Sequence, residues 1–307
     1  FLLQNGSQLR VLFSIQGTDR EVGRGSGCFT EQLRRIYASG RSETLLPFLS
    51  SERGMNRATE PISSKVTPVD LYDLLLERYG PQGWWPFYGM RGKAGFSPSG
   101  YHPGSYGLPD TREILFQVIC GAILTQNTAW KNAEVAIHNL ESAGILCPEQ
   151  LLELHENELG SLIRPAGYYN QKAKKLKVLF GFLEEHGYTS FHRVPSRDSL
   201  LSLWGIGSET ADSILTYGYG IGVFIADSYA RRLFSRLGLC IENETYDRLQ
   251  QLIHKQAGGR SCEFWNEFHA LIVTHAKTVC VKKPDCIKCF LLSECHLPGA
   301  AGFHEKM

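Results

Sequence analysis

The stretch LWGIGSETA at residues 203–211 sets two glycines between segments with helical patterning, and it constrains the fold more than any other part of the chain. Helical spacing of apolar residues covers 197–203 before the glycines and 208–218 after them. Glycines in this place permit a tight turn and let another molecule come close to the backbone. The free N–H groups at the start of the second helix suit a phosphate oxygen. For an isolated turn, an ordinary helical hairpin without a ligand is the simpler explanation, so the surrounding sequence must decide.

The rest of the chain also has the apolar spacing of helices, and strand signals are weak throughout. Residues 88–109 are rich in Gly, Pro, Ser and Tyr and predict a long loop. We therefore predict an all-α protein. Besides the two segments around the turn, helices are predicted at 67–79, 111–124, 130–142, 148–162, 170–186, 228–237, 245–256 and 262–278.

Charge and cysteine usage limit the partners and the compartment. The net charge of +1 does not indicate a polyanion partner for the chain as a whole, so any nucleic-acid surface must be local. No apolar run reaches the roughly 18 residues that span a bilayer, so we expect no membrane association. Of nine cysteines, four fall between 280 and 295. That grouping is typical of a metal site in a reducing compartment rather than of a disulfide framework.

The two ends of the chain are predicted to lie outside the folded domains. Residues 1–66 have mixed composition, without the apolar segment and cleavage site of a signal peptide. The first methionine is Met55, and we expect the functional protein to start near it. A poorly ordered N-terminal extension is the alternative. Residues 297–307 are predicted to form a tail.

A carboxylate stands before a predicted helix in the stretch VFIADSYARR, residues 223–232. Asp227 follows four mostly apolar residues, and because Asp is a favoured helix N-cap, capping is the simpler explanation. A partly desolvated carboxylate at a helix start can also stabilise a cation or activate water. Arg231 and Arg232 follow on the same helix, where they could meet phosphates or lie on a solvated face.

Together, the turn and Asp227 resemble the helix-hairpin-helix DNA glycosylase superfamily, the relatives of endonuclease III. Glu209 lies two residues after the second glycine, and Asp227 follows it by 18 residues, which is the interval of that family. The resemblance implies two helical domains flanking a DNA-binding cleft, with Asp227 as the essential catalytic carboxylate. The hairpin domain is expected at 112–238, and 67–111 with 239–296 would form the second domain.

The resemblance also implies a monomer that binds double-stranded DNA containing a damaged base. Backbone amides of the turn would hold one strand, and basic side chains would contact phosphates through their charge. A solvated helix face explains any single lysine about as well. The residues expected to contact DNA are Gly205, Ile206, Gly207, Ser208, Arg231, Lys172, Lys282 and Lys283.

Four cysteines near the end of the chain, in CVKKPDCIKCFLLSEC, are separated by five, two and five residues. Four thiolates this close together can surround one metal centre. Zinc is the alternative to iron, although a zinc ribbon usually separates its ligand pairs more widely. The resemblance implies a [4Fe–4S] cluster on Cys280, Cys286, Cys289 and Cys295, with a structural or redox-tuning role. The family's usual first interval is one residue longer.

Glu209 occupies the place at which strand-cleaving members of the family carry a lysine nucleophile. Such a lysine forms a Schiff base with the sugar, and a carboxylate cannot. The resemblance therefore implies hydrolysis of the glycosidic bond alone. Asp227 would activate water or stabilise an oxocarbenium-like sugar, and the product would be an abasic site.

Two stretches offer aromatic groups for a base that leaves the duplex, as base-processing enzymes require. Trp84 and Trp85 lie in WWP, and Gln126 and Trp130 lie in ILTQNTAWKNA. Packing in the core is the alternative explanation for the tryptophans, and a polar position at a helix end is the alternative for the glutamine. These stretches resemble monofunctional 3-methyladenine glycosylases, which implies that the three tryptophans stack on the base and Gln126 fills the gap. A cationic alkylated purine stacks well on electron-rich indoles.

Three other functions stay open. One is a glycosylase with strand-cleaving activity for oxidised pyrimidines, and another is a mismatch glycosylase. The third is a non-catalytic iron–sulfur protein that binds DNA, in which Asp227 would have no chemical role. An intracellular location, in the cytoplasm or nucleoid if the source is bacterial or archaeal, is expected for each.

Overall fold

The computed structural model describes residues 66–104, 106, 111–189 and 193–297, which form helices and no strand. This confirms the predicted all-α class. The helices are α1 Pro68–Tyr79, α2 Arg112–Leu124, α3 Trp130–Ser142, α4 Pro148–Glu153, α5 Glu156–Leu162, α6 Tyr169–Glu185, α7 Arg197–Leu201, α8 Ser208–Ser213, α9 Ser228–Arg236, α10 Tyr246–Ala257 and α11 Cys262–Thr278. A π-helical turn, Ile214–Gly218, continues α8. The predicted start near Met55 and the tail beyond 297 lie outside the described residues.

Side-chain caps set several helix starts. Thr67 and Asp70 form a capping box at α1, in which each side chain bonds the backbone of the other. One predicted helix, 148–162, is instead two, because the backbone is extended at Leu154 and His155 caps α5. The apolar spacing of that segment runs through the break, so periodicity alone did not detect it.

One hydrophobic core is built from the middle of the chain, 115–219. Helix α2 is buried along nearly its whole length, so neighbouring helices surround it. The rings of Phe116 and Phe180 meet there at 5.0 Å between centroids. Apolar residues thus cover α2 on several sides, as its almost uniformly apolar sequence requires.

A second core joins α1, α9, α10 and α11, with Trp265, Phe224, Phe234 and Phe268 at its centre. It receives side chains from 224–239 as well as from the later helices. The domain limits at 112–238 and 239–296 therefore stay a prediction. In the part of the chain described here, no helix has both the length and the apolar character to cross a membrane.

Candidate active site

The Gly-x-Gly turn is built as the sequence predicts, between α7 and α8. Gly205 has φ +82°, which favours glycine, and a Cβ there would lie 2.5 Å from Cε of Lys175, so that the lysine side chain would have to move. Ile206 is buried and anchors the turn, whereas Gly207 is exposed. Among the described residues, no side chain caps α8, and Ser208 opens it. The first N–H groups of α8 are thereby left for an outside acceptor.

Asp227 is both a helix cap and a recessed carboxylate. It follows the buried residues Phe224, Ile225 and Ala226, and its Oδ1 accepts the N–H of Ala230 at 2.8 Å. The side chain is only 11% exposed. The capping explanation is therefore correct, and it leaves Oδ2 for other partners.

The partner of Oδ2 is His269, a residue that the sequence did not indicate. His269 Nε2 lies 3.5 Å from Asp227 Oδ2, and His269 Nδ1 lies 2.6 Å from the hydroxyl of Tyr217. Burial, and next the charge of Asp227, raises the pKa of Tyr217 well above its usual value, so the phenol is neutral. Three side chains from the π turn, α11 and the start of α9 thus form one row.

Glu209 lies on the first turn of α8, close enough to Asp227 for their charges to interact. Although its side chain is exposed, partial loss of hydration raises its pKa, and the negative charge of Asp227 adds to the effect. His269 and Arg231 act in the opposite direction. The position discussed for the family lysine is therefore within electrostatic reach of the candidate carboxylate.

The three tryptophans gather beside this row. The rings of Trp85 and Trp130 meet edge to face at 5.1 Å, and Trp84 meets His269 at 5.8 Å. Trp85 is buried, and a cavity lined by Trp84, Trp85 and Tyr217, but not by Trp130, measures about 10 Å³, which is room for one water. The space beside Trp84 and Trp85 thus admits a base only if aromatic side chains move.

Glu267, which the sequence did not indicate, holds in place the loop that carries Trp84 and Trp85, here called the tryptophan loop. Its fully buried carboxylate accepts the N–H groups of Gln82 and Gly83, at 2.6 and 3.1 Å, and the hydroxyl of Tyr106 at 2.7 Å. Glu267 lies two residues before His269 on α11. One helix therefore positions both the tryptophan loop and the neighbour of Asp227.

Gln126 is tied to the Gly-x-Gly turn rather than free at a helix end. Its amide nitrogen donates to Gly205 O at 3.3 Å and to Thr210 Oγ1 at 2.9 Å, and its Oε1 accepts from Lys175 at 2.6 Å. The next residue, Asn127, is exposed with φ +51°. The tip of this loop is therefore Asn127.

Lys172 is not a surface residue, and the prediction that it contacts phosphates is corrected. It is 2% exposed, and its ammonium donates to Leu124 O, Thr128 Oγ1 and Ala166 O, each at 2.8 Å. Burial, with a smaller contribution from Lys175, lowers its pKa to about 8. The ammonium group instead joins the loop after α2, at Leu124 and Thr128, to the loop at Ala166. A donor enclosed in this way is out of reach of a phosphate.

The second of these loops presents Tyr168, which the sequence analysis did not single out. Tyr168 has φ +46° and is 70% exposed, just before α6. Asn127 and Tyr168 are the non-glycine residues with positive φ in the described ranges. Left-handed backbone is unusual for such residues and often occurs at functional sites.

Of the remaining basic residues, Lys282 and Lys283 are exposed as expected. Arg231 is half-buried and donates to Glu244 O at 3.3 Å, so its guanidinium is only partly free for a phosphate.

The four cysteines line one small cavity of about 20 Å³, which suits their prediction as a group. Arg236 lines the same cavity, and its Nη1 donates to Cys280 Sγ at 3.1 Å, as donors to cluster sulfurs do. The donor set fits an iron–sulfur cluster in kind. As arranged here, however, no three Cys, His, Asp or Glu side chains of the described residues are positioned to ligate a metal.

Comparison with known proteins identifies the family. Residues 120–257 match the HhH-GPD superfamily of base excision DNA repair proteins. A protein of Methanocaldococcus jannaschii, named as a candidate DNA repair glycosylase, is 39% identical over 232 residues, or 73% of this chain and 94% of that protein. The chain belongs to the HhH-GPD superfamily. The family predicted from the sequence is confirmed.

Other proteins that this chain resembles are named for activities that differ from one another. Endonuclease III of Sulfolobus acidocaldarius is 29% identical over 194 residues, which covers 62% of this chain and 85% of that protein. The structure of the H. pylori 3-methyladenine DNA glycosylase, bound to 1,N6-ethenoadenine, aligns with a TM-score of 0.52 and 26% identity over 69% of this chain and 98% of that one. An endonuclease III–DNA complex aligns with a TM-score of 0.59 over 78% of this chain and 99% of that one, at 18% identity, which supports the fold alone.

Proposed function

We propose that this protein is a DNA glycosylase that hydrolyses the N-glycosidic bond of a damaged base and does not cut the strand through a lysine. The observation that carries the proposal is the recessed carboxylate of Asp227 with Glu209, not lysine, beside it. Double-stranded DNA is the partner.

Asp227 acts on the sugar from which the base departs. As the glycosidic bond breaks, positive charge develops on the deoxyribose, and the ionised carboxylate stabilises it or accepts a proton from the attacking water. Water adds to C1′, the base leaves with the bonding electrons and takes up a proton, and the product is an abasic site. The bond from Ala230 N–H to Oδ1 holds the carboxylate in one orientation.

Strand cleavage would need an amine, and Lys277 is the lysine on α11 whose pKa reflects the charge of Asp227. Burial lowers the pKa of Lys277, whereas Asp227 raises it. Its ammonium also lies 5.5 Å from the ring centroid of Tyr229. We assign no nucleophilic role to Lys277, and the experiment below includes it as the residue that would replace the missing lysine.

An alkylated purine is the proposed substrate class. Trp84, Trp85 and Trp130 supply electron-rich faces that favour a cationic base, and the weak glycosidic bond of such a base needs modest catalysis. The 26% identity to a glycosylase named for 3-methyladenine supports this choice. The rings of Trp84 and Trp85 must move to admit the base, since the cavity that they line with Tyr217 holds about one water.

DNA contacts are proposed for the turn at 205–208 and for two exposed loop residues. Tyr168 would enter the duplex and stack where a base has left, and Asn127 would lie against the opposite side of the opening. Lys282 and Lys283 would add phosphate contacts from the cysteine loop.

Cys280, Cys286, Cys289 and Cys295 are proposed to hold a [4Fe–4S] cluster, with zinc as the alternative. The cluster would fix the fold of the cysteine loop, and it takes no part in base release. A brown protein with charge-transfer absorbance and four irons per chain is expected, whereas stoichiometric zinc would contradict the assignment.

The test incubates the protein and its Asp227→Asn variant with methylated duplex DNA. Free base is measured, together with strand breaks before and after alkali. Release by the parent alone, with breaks only after alkali, supports the proposal. Breaks without alkali that borohydride traps, and that Lys277→Gln abolishes, would establish a lysine mechanism instead. Duplex binding without release of methylated, oxidised or mismatched bases would favour the non-catalytic alternative.

A further inference from the structure

Tyr217, His269 and Asp227 form a row in which the histidine touches both neighbours. His269 is 7% exposed, and its two ring nitrogens face different groups: Nδ1 faces the Tyr217 hydroxyl at 2.6 Å, and Nε2 faces Asp227 Oδ2 at 3.5 Å. Neither Tyr217 nor His269 belongs to the Gly-x-Gly motif.

The hydroxyl of Tyr217 determines which nitrogen of His269 carries the proton. The Tyr217 side chain is buried, which raises its pKa well above the usual value, so its hydroxyl keeps its proton. A neutral phenol can donate or accept, but a carboxylate oxygen only accepts, so Nε2 presents its hydrogen to Asp227 Oδ2 and the short contact at Nδ1 has the phenol as donor. A neutral imidazole that accepts at Nδ1 carries its hydrogen on Nε2, the nitrogen that faces Asp227.

We propose that His269 is a positioning residue for Asp227, with its tautomer fixed by Tyr217. The Nε2–H group holds Oδ2 while Ala230 N–H holds Oδ1, so the carboxylate cannot rotate. The separation of 3.5 Å is long for a charge-assisted bond, and we expect it to shorten when DNA binds. This inference rests on the proposed function of Asp227.

Charged side chains on three helices interact electrostatically with the row of Tyr217, His269 and Asp227. Glu209 on α8 and Arg231 on α9 interact electrostatically with the site, and Lys277 on α11 interacts with Asp227. Removing the His269 donor takes away one of the two bonds that hold the Asp227 carboxylate and leaves the bond to Ala230 N–H.

The experiment compares three variants in single-turnover release of base from methylated duplex DNA. His269→Phe keeps a ring beside Trp84 but removes the donor, His269→Gln restores an N–H near the position of Nε2, and Tyr217→Phe removes the tautomer restraint. For His269→Phe we expect a rate loss of about tenfold or more with unchanged DNA affinity, because the reacting carboxylate is no longer held in one orientation. His269→Gln should recover part of the rate, and Tyr217→Phe should lie between.

A matched control comes from another histidine–tyrosine pair on the same chain. Tyr88 and His138 are hydrogen-bonded at 2.5 Å, but His138 is an exposed residue of α3, and Tyr88 is half-buried. His138→Phe and Tyr88→Phe should keep the parent rate. A parent-like rate in His269→Phe, or equal losses in the Phe and Gln variants, would overturn the proposal.

A readout without activity separates this inference from the proposed function. Nitrogen-15 NMR of the imidazoles should show His269 in the Nε2–H form in the parent, and Tyr217→Phe should weaken that preference. Asp227→Asn should change the Nε2 shift. If the parent releases no base, the proposed function fails while these spectra still test the row. A His269 in the Nδ1–H form, or one insensitive to Asp227→Asn, would contradict the positioning role.

Discussion

Gly121 lies directly against the ring of Trp85, so the tryptophan is seated in a notch that only glycine leaves on α2. A Cβ at residue 121 would come within 2.7 Å of Trp85 Cζ2. Gly121→Ala should displace the ring and destabilise the protein by about 1–3 kcal/mol, as overpacking does. Denaturant unfolding and tryptophan fluorescence measure the two effects.

Gly181 provides the control for this substitution. It also lies in a helix, α6, but a Cβ there meets nothing within 4 Å among the described residues. Gly181→Ala should stabilise the protein by up to about 1 kcal/mol, because alanine has the higher helix propensity. Equal effects of the two substitutions would show that the notch at Gly121 is not what holds Trp85.

Glu267 should be needed for the position of the tryptophan loop. In Glu267→Gln one carboxylate oxygen becomes an amide donor facing a backbone N–H of Gln82 or Gly83, and a buried donor without an acceptor costs about 1–3 kcal/mol. Lower stability and altered fluorescence of Trp84 and Trp85 are expected. Glu77→Gln, on the exposed face of α1, should leave both unchanged.

A network of three charged residues connects α7 and α8 to α10, and its two carboxylates are expected to contribute unequally to stability. Arg197 donates to Asp212, which is fully buried, at 2.8 and 3.1 Å, and to Asp247, which is 58% exposed, at 2.7 Å. Gln250 also donates to Asp212. Asp212→Ala should cost about 3–5 kcal/mol, because it strands a buried charge. Asp247→Ala should cost less than about 1 kcal/mol, and similar costs measured by urea unfolding would refute the distinction.

Lys172 should act through the loops that it joins. Lys172→Met leaves Leu124 O, Thr128 Oγ1 and Ala166 O without their shared donor, and we expect a cost of about 1–3 kcal/mol together with weaker duplex binding. Lys174→Met, at an exposed position on the same helix, should keep the stability of the parent. Unfolding curves and DNA titrations of both variants provide the measurement.

The lowered pKa of Lys172 also predicts a pH dependence. The folded protein releases this proton near pH 8, whereas the unfolded chain keeps it until about pH 10.5. Between these values the unfolded state binds more protons, so the parent gains stability with rising pH relative to Lys172→Met. If the difference in stability between the parent and Lys172→Met stays flat or falls across this pH window, the three oxygens keep the ammonium of Lys172 charged.

The sequence predicted what depends on short-range patterns. The turn at Gly205 and Gly207 and the cap at Asp227 follow from backbone freedom and from side-chain reach within a few residues. The family interval between Glu209 and Asp227 then located the candidate carboxylate. These features needed no knowledge of how distant helices pack.

Residues that act across long sequence distances were missed or misassigned. His269 meets Asp227 over 42 positions, and Glu267 meets Gly83 over 184, in a segment for which the sequence predicted only a helix. Lys172 shares a basic stretch with Lys174, but only the packing of the loops shows that one is buried and the other exposed. Charge in a sequence does not specify burial.

Restoring a lysine at the place of Glu209 gives the sharpest test of the proposed chemistry. The amine of Glu209→Lys would lie beside Asp227, whose charge interacts with that position in the parent. Because a lysine there can attack the sugar, we expect strand breaks without alkali and a complex that borohydride traps. Glu209→Gln, which removes the charge without adding an amine, should give neither, and the double variant with Asp227→Asn should lose both products. If Glu209→Lys still releases base but forms no trapped complex, residue 209 does not reach the sugar. The lack of a lysine at this position would then no longer explain why the protein only hydrolyses the glycosidic bond.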